Sequence, residues 1–490
     1  MKAFKNCSLF LSAVLLAYFL IPYFIFLRYF NLDFNFDYQE LWWAFRNSSL
    51  QAFFAATIVT LLGIPLSLGL LTLTPRWSAV TRKLLLIPQV LPALFSILIA
   101  FSLLEPFPMG TVGIIIIFVF MHLGFAAVLL LAGTQEKLGP FALVSEIFAI
   151  RKVSFWSKVY FPLMRGHLLT TYVLIFIFCF ASFSVPLVAG GGRGTNLEVL
   201  IYEKIFINQN WSIAWSLNLI QSVFIFILSF FILQTSKSSK VDFENSRFLK
   251  LKWGIAGLII YLTLYGGGYL LGLIRSIGSI SQLVEFAPEL RQATLRSLSI
   301  LLSFILASIL LLVLWIYNLV LNGKQSGARH LLATSTILVG FSFYLIFPNS
   351  NAADYLKIVL AMTILYFPVL FRGFLEKPIE QLQSQILTAK IFRLSTSRIV
   401  FTIILSQMKR PLFLWLSFLM IWFLSDFAIL KSLGIQNMTL GLMAASFLNG
   451  YRLSLAYLLS FYIILLWASL LGMFYFAMEV SHVTHSKPKA

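Results

Sequence analysis

About twelve apolar runs, each long enough to cross a bilayer, follow one another through this chain and leave little room for any other architecture. A helix rising about 1.5 Å per residue needs about twenty apolar residues to cross a hydrocarbon layer of roughly 30 Å. In the first half such runs are expected at Cys7–Tyr29, Leu50–Leu73, Leu84–Leu104, Val112–Ala132, Leu168–Ala189 and Ile213–Leu233. In the second they are expected at Trp253–Leu273, Leu295–Tyr317, His330–Phe347, Leu356–Phe371, Leu412–Leu433 and Leu453–Phe476. The predicted fold class is an all-α polytopic membrane protein. Composition agrees: of 490 residues, 60% are hydrophobic and 11% charged, far outside the range of a soluble domain. Pro88 and Pro92 fall inside the third run, where neighbouring helices can re-satisfy a broken backbone. The first run follows a basic start like that of a signal peptide. It is too long and lacks a small-residue cleavage site, so it is predicted to be retained as a span.

The net charge of +19 resembles a nucleic-acid signal, but its distribution points elsewhere. With the N-terminus inside, the cytoplasmic segments hold about 26 of the 36 Lys and Arg. That asymmetry predicts cytoplasmic N- and C-termini and contact with membrane lipid, and it argues against nucleic-acid binding. Cys7 and Cys179 both lie in apolar segments and imply no disulfide framework.

The stretch QTSKSSKVDFENSRFLKLK is the sharpest change in composition along the chain. It predicts two six-helix halves, 1–234 and 253–490, joined by a cytoplasmic linker at 235–252. Six spans per half give both halves one orientation, a parallel repeat about an axis along the membrane normal. Advancing 244 positions carries Ser182-Phe183 onto Asp426-Phe427, Gly190 onto Gly434 and Thr195 onto Thr439. The expected starts near His167 and Pro411 keep the same spacing.

Two connections are longer and more charged than polytopic proteins usually keep. One runs from Thr134 to Gly166 and carries Lys137, Arg151, Lys152, Lys158 and Arg165; the other lies between Lys377 and Arg410. The centre of the first, Glu146 to Pro162, reads EIFAIRKVSFWSKVYFP. A short surface helix of this kind can seat in the groove of a soluble partner.

This segment resembles the EAA loop of ABC-importer permeases. Glu146, Ser154, Trp156 and Pro162 stand at the Glu, Ser, Trp and closing Pro of that motif. Ile147 and Phe148 replace its two alanines, Lys152 replaces its glycine, and about three residues are missing before Pro162. In the second copy Ala389, Ser395 and Pro411 fit, with no Glu near Leu387. The stretches Phe180–Phe206 and Leu424–Arg452 look like the matching regions of fused double permeases of the thiamine and iron(III) branch. The Gly190–Gly192 run with Thr195 is closer to the thiamine side. The resemblance implies a permease without a nucleotide site or cofactor of its own, in a bacterial inner membrane. Its implied partners are a cytoplasmic ATP-binding subunit, as a homodimer, and a periplasmic substrate-binding protein. It also implies coupling roles for Glu146, Ser154, Trp156, Pro162, Ala389 and Ser395.

Asp426 is an acid deep in an apolar run, and such an acid tends to face a cavity or a partner. Thiamine is cationic, so Asp426, with its repeat mate Ser182, is the candidate lining of the translocation path. The glycines at 190–192 are expected to form a turn rather than a phosphate cradle. No G-x-x-x-x-G-K-[ST] and no H-E-x-x-H occurs, and the histidines do not cluster as metal ligands. ATP-driven transport would therefore draw its energy from another polypeptide. A secondary transporter of twelve spans would show more charge inside its helices. A membrane-embedded enzyme would need acid, base or metal clusters beyond the loop acids Asp33, Asp37 and Glu40.

Overall fold

The computed structural model describes residues 2–148, 150–231, 251–322, 335–347, 350–435 and 437–485. Its helices in chain order begin with α1 (Lys2–Tyr29), α2 (Tyr38–Thr72), α3 (Pro75–Val90), α4 (Ala93–Leu103), α5 (Thr111–Lys137) and α6 (Gly139–Ile147). There follow α7 (Lys152–Phe155), α8 (Phe161–Phe180), α9 (Ser184–Ala189), α10 (Leu197–Phe206), α11 (Trp211–Ser229) and α12 (Lys252–Ser276). Then come α13 (Ile280–Glu285), α14 (Ala287–Asn322), α15 (Thr336–Ile346), α16 (Asn351–Leu370), α17 (Glu376–Gln381) and α18 (Gln383–Ile391). The last are α19 (Thr396–Arg398), α20 (Leu405–Gln407), α21 (Lys409–Ser425), α22 (Ala428–Ser432), α23 (Leu440–Asn449) and α24 (Leu453–His485). Among the described residues nine helices are long and apolar enough to cross a membrane, or eleven if each of two bent pairs is one span. The chain is an all-α polytopic membrane protein. Part of the run expected at His330–Phe347 lies outside the described residues; its described part is α15.

The helices pack as two units, and these are not the two halves in chain order. One is continuous, Leu32–Gly278; the other is split, Met1–Asn31 with Ser279–Ala490. The helix that opens each half in sequence packs in the opposite unit: α1 in the split unit, α12 in the continuous one.

In the continuous unit α2 is the central element, packed on α5, α8 and α12. Its buried positions are mostly small (Ala44, Ala52, Ala55, Ala56, Gly63, Gly69), which lets neighbouring backbones come close. The tightest approach is to α12, where a Cβ on Gly69 would lie 2.5 Å from the carbonyl carbon of Gly254. This glycine pair accounts for α12 belonging here. The expected polar loop before the second span is partly helical: Asp37 caps α2 by accepting from the Gln39 amide at 2.9 Å.

In the split unit α14 packs on α1 and α16. Aromatic contacts hold α1: Phe19 meets Trp315 edge-on at 6.0 Å, and Phe26 meets Phe341 at 5.9 Å. Ser12 also donates to Asn318 at 2.9 Å.

Three expected spans are broken. The run at Leu84–Leu104 divides into α3 and α4, bent by 97°. Leu91 is extended (φ −68°, ψ 140°) because Pro92 disfavours a helical residue before it. The run expected at Leu168–Ala189 breaks at Ala181–Phe183, between α8 and α9; that at Leu412–Leu433 breaks at Asp426–Phe427, between α21 and α22.

Candidate functional site

The two charged loops, each within its own unit, share one course as far as their π-helical stretches, and the 244-residue register holds through them. Beyond that the continuous unit runs on as one helix, Val153–Phe180, whereas in the split unit Thr396–Gln407 meets α21 at a bend of 80°. In the continuous unit α6 ends at Ile147, a turn follows, and α7 leads through a π-helical stretch, Trp156–Tyr160, into α8. In the split unit α18 ends at Ile391, a turn follows, and α19 leads through a π-helical stretch, Ile399–Ile404. α7 starts at Lys152 and α19 at Thr396, the same 244 apart. Phe155, Tyr160 and Met164 are buried in one loop, and their counterparts Ile399, Ile404 and Met408 in the other.

The same register exposes one apolar pair in each loop. Ile147 and Phe148 are 79% and 73% exposed; Ile391 and Phe392 are 78% and 74% exposed. Both pairs sit where a helix meets its turn, so backbone geometry holds them out. The sequence reading passed over them, counting Ile147 and Phe148 only as departures from the motif. The signal was available: 244 positions carry Ile-Phe onto Ile-Phe.

The predicted loop residues take different places. Glu146 lies in the last turn of α6, its side chain outside the described residues. In the 244-residue register its counterpart is Lys390, a reversal of charge three residues beyond Leu387, near which the motif places its second acid. Trp156 is half-buried and turned inward, its ring 4.4 Å from that of Tyr160, against the core of Leu138, Phe155 and Met164. Pro162 is in the first turn of α8, where no backbone donor is needed. Ala389 lies on the buried side of α18. Ser395 caps α19, accepting from the Arg398 amide at 3.4 Å. Ser154 lies inside α7; the true counterpart of Ser395 is Arg151. The two serines therefore do not share a role.

The two helix breaks form the second set of sites. At Ala181–Phe183 the Ser182 carbonyl accepts from the Asn196 side-chain amide at 2.6 Å. The Asn196 side-chain oxygen in turn caps α10 through the Val199 amide at 3.0 Å. Gly191 and Gly192 carry the turn that follows, with φ of 52° and 72°, values that glycine tolerates without strain. At the other break Asp426 accepts from the Ile429 amide at 3.0 Å, capping α22, and its second oxygen accepts from the Tyr366 hydroxyl. Gly441 packs directly on this break; a Cβ there would lie 2.1 Å from the Asp426 carbonyl oxygen. Ser182 and Asp426 are thus matched in position and unlike in chemistry: one lends a backbone oxygen, the other a carboxylate.

A further match lies beside the breaks. In the continuous unit Ser48 on α2 accepts from the Leu197 amide at 2.8 Å; in the split unit Ser297 on α14 accepts from the Leu440 amide at 3.0 Å. Each bond satisfies a free amide at the start of the short helix that follows the break.

Over part of its length the chain is similar to thiamine transport system permease proteins. That of Escherichia coli is 32% identical over 117 residues, 24% of this chain and 22% of that protein. That of Haemophilus influenzae is 32% identical over 138 residues, 28% of this chain and 26% of that protein. That of Brucella abortus is 25% identical over 232 residues, 43% of this chain and 42% of that protein. The chain therefore covers between about a quarter and two fifths of the length of these curated relatives. No family model matches the chain. No solved structure matches it either.

Proposed function

We propose that this chain is the membrane permease of an ATP-driven importer and forms the translocation path for thiamine or a phosphorylated form of it. The observation that carries this reading is the similarity to relatives named as permeases of thiamine transport systems. In this reading the chain sits in a bacterial inner membrane with both termini cytoplasmic. Its two chain-order halves each supply six spans, and a periplasmic binding protein delivers the substrate. The chain has no nucleotide site, and a cytoplasmic ATP-binding subunit, as a homodimer, supplies the energy.

The charged loops are the docking surfaces. Ile147-Phe148 and Ile391-Phe392 stand exposed, apolar pairs that a partner's groove would cover. Glu146 and Lys390 stand beside these pairs and set the charge that the partner meets. Trp156, Ala389 and Ser395 fix each loop to its bundle, so that a push on the exposed pair moves α8 or α21 rather than bending the turn. Ser154 and Pro162 belong to the same rigid connection.

The helix breaks line the path. Unwound backbone in a membrane protein is tolerated where it is buried in protein or faces a cavity. Asp426 gives one break a carboxylate suited to a cationic substrate, and Ser182 marks the matched place in the other.

The test is uptake of labelled thiamine beside labelled ferric iron in cells with and without this gene. Loss of thiamine uptake alone is the expected outcome. Loss of iron uptake alone would keep the permease and overturn its substrate. No change in either would overturn the reading, and persistence of uptake after depletion of the ATPase would point to a secondary transporter.

A further inference from the structure

In the split unit a guanidinium is enclosed without an acceptor for its most selective edge. Arg296 lies on α14, and its Nε and Nη2 atoms are buried with no hydrogen-bond partner among the described residues. The nearest carboxylate, Asp354 in the first turn of α16, stands 4.0 Å from Nη2, too far to accept a bond. Asp354 is occupied elsewhere. It lies 3.4 Å from the Lys357 ammonium and accepts from the Asn437 side-chain amide at 3.3 Å. The Tyr355 ring faces the guanidinium at 5.7 Å and offers only its π-face.

A buried cation with two dry donors is costly unless an acceptor reaches it. The Nε–Nη2 edge presents two parallel N–H groups, the fork that a carboxylate or phosphate grips with both oxygens at once. The side chains of Arg296 and Asp354 retain 13% and 12% exposure, so the pair lies next to the surface.

We propose that the Nε–Nη2 edge of Arg296, beside Asp354, is a binding site for an oxyanion, a phosphate group carried by a lipid headgroup or by a soluble phosphate compound. Asp354 tunes the site: it holds Lys357 and Asn437 in place and weakens anion binding by its own charge. The proposal does not depend on the transport reading.

The test uses the full chain purified in phosphate-free, non-phospholipid detergent and titrated with inorganic phosphate at constant ionic strength, followed by thermal unfolding. The expected result is a saturable rise in Tm. Arg296→Gln should weaken the apparent affinity at least tenfold, while Arg291→Gln, at an exposed position on the same helix, should leave it unchanged. Asp354→Asn should tighten it about tenfold by removing a like charge beside the anion, which keeps the test decisive if Arg296→Gln fails to fold. The titration is repeated in nanodiscs containing phosphatidylglycerol. Loss of the phosphate response there assigns the site to a lipid phosphate; its persistence assigns it to a soluble one. No saturable response in detergent, or the same response in wild type, Arg296→Gln and Asp354→Asn, overturns the proposal.

Discussion

From the exposed pair through the π-helical stretch the two charged loops share one backbone course and one pattern of exposure, yet they are fastened by different chemistry, and only the split unit then bends, by 80°, before α21. The continuous unit anchors its loop with aromatic rings, Trp156 on Tyr160 over Phe155. The split unit places Val400 and Ile404 at the stations of Trp156 and Tyr160, both buried. At the station just before the apolar pair Glu146 is matched by Lys390. What both loops keep is the apolar pair, Ile147-Phe148 and Ile391-Phe392. The difference teaches which features the shared shape requires: an exposed Ile-Phe step on a firmly packed turn, with the packing residues and the neighbouring charge free to vary.

The largest effect expected from breaking this comparison is on stability. Trp156→Ala should cost about 3 kcal/mol, because it removes a large ring packed on Tyr160 and leaves a cavity beneath the loop. Val400→Ala, at the matched station, should cost about 1 to 2 kcal/mol, since fewer buried carbons are lost. Thermal unfolding of the two variants in detergent measures both. Equal losses would mean that the aromatic anchor adds nothing to its aliphatic counterpart.

Next is docking. Phe148→Asp and Phe392→Asp should each weaken recovery of an ATP-binding subunit on the purified chain by about thirtyfold, about 2 kcal/mol. Neither should lower the unfolding temperature, because both rings are already exposed and little packing is lost. If only one variant loses the partner, the two loops do not dock equally, and the charge at Glu146 and Lys390 becomes the feature to exchange. If neither does, the exposed pairs are not docking surfaces.

Much of this was legible in the sequence, and the rest was hidden for physical reasons. Apolar runs disclose spans because the bilayer demands about twenty such residues. They do not disclose where a span breaks. The bend between α3 and α4 could have been read from Pro92, which excludes helical geometry at Leu91. The break at Ser182 stands four residues before Pro186, which has no amide to donate to the Ser182 carbonyl, while the break at Asp426 carries no proline and is marked only by the acid itself. Side chains distant in sequence then support them: Asn196 donates to the freed Ser182 carbonyl, and the Tyr366 hydroxyl donates to the Asp426 carboxylate. The assignment of α1 and α12 to units was equally hidden. That of α12 rests on a glycine pair, Gly69 and Gly254, and that of α1 on the ring contacts of Phe19 and Phe26, partnerships that no local pattern reveals. The Ile-Phe pairs were visible in the register, but a family motif directed attention to Trp156, which faces inward.

The two breaks give a third comparison. Asp426→Asn keeps an acceptor for the Ile429 amide, removes the charge, and puts an amide donor where the oxygen facing the Tyr366 hydroxyl stood, a bond the hydroxyl can keep by accepting. It should lower uptake of a cationic substrate about tenfold, equivalent to about 1.4 kcal/mol, at equal protein in the membrane. Ser182→Ala should change uptake less than about twofold, because Ser182 contributes its backbone carbonyl, which the substitution retains. Uptake measured in cells expressing each variant separates the two. A larger loss from Ser182→Ala than from Asp426→Asn would remove the carboxylate from the path.

The smallest effect belongs to the turn that follows each apolar pair. Ser395 closes its turn by capping α19, and the continuous unit has Arg151 at the same station, a residue whose side chain cannot accept a bond from a helix amide. Ser395→Ala should therefore cost about 1 kcal/mol, the usual value of an N-cap hydroxyl. Arg151→Ala should cost less than about 0.5 kcal/mol, as an exposed residue making no cap. The consequence is local rather than global. Hydrogen exchange at the Thr396–Arg398 amides should quicken several-fold in Ser395→Ala, while the amides of Lys152–Phe155 stay unchanged in Arg151→Ala. Were both turns to loosen alike, the split loop would not depend on its cap. Its rigidity would then come from the buried Ala389 and Ile399 alone, as that of the continuous loop comes from Phe155 and Tyr160.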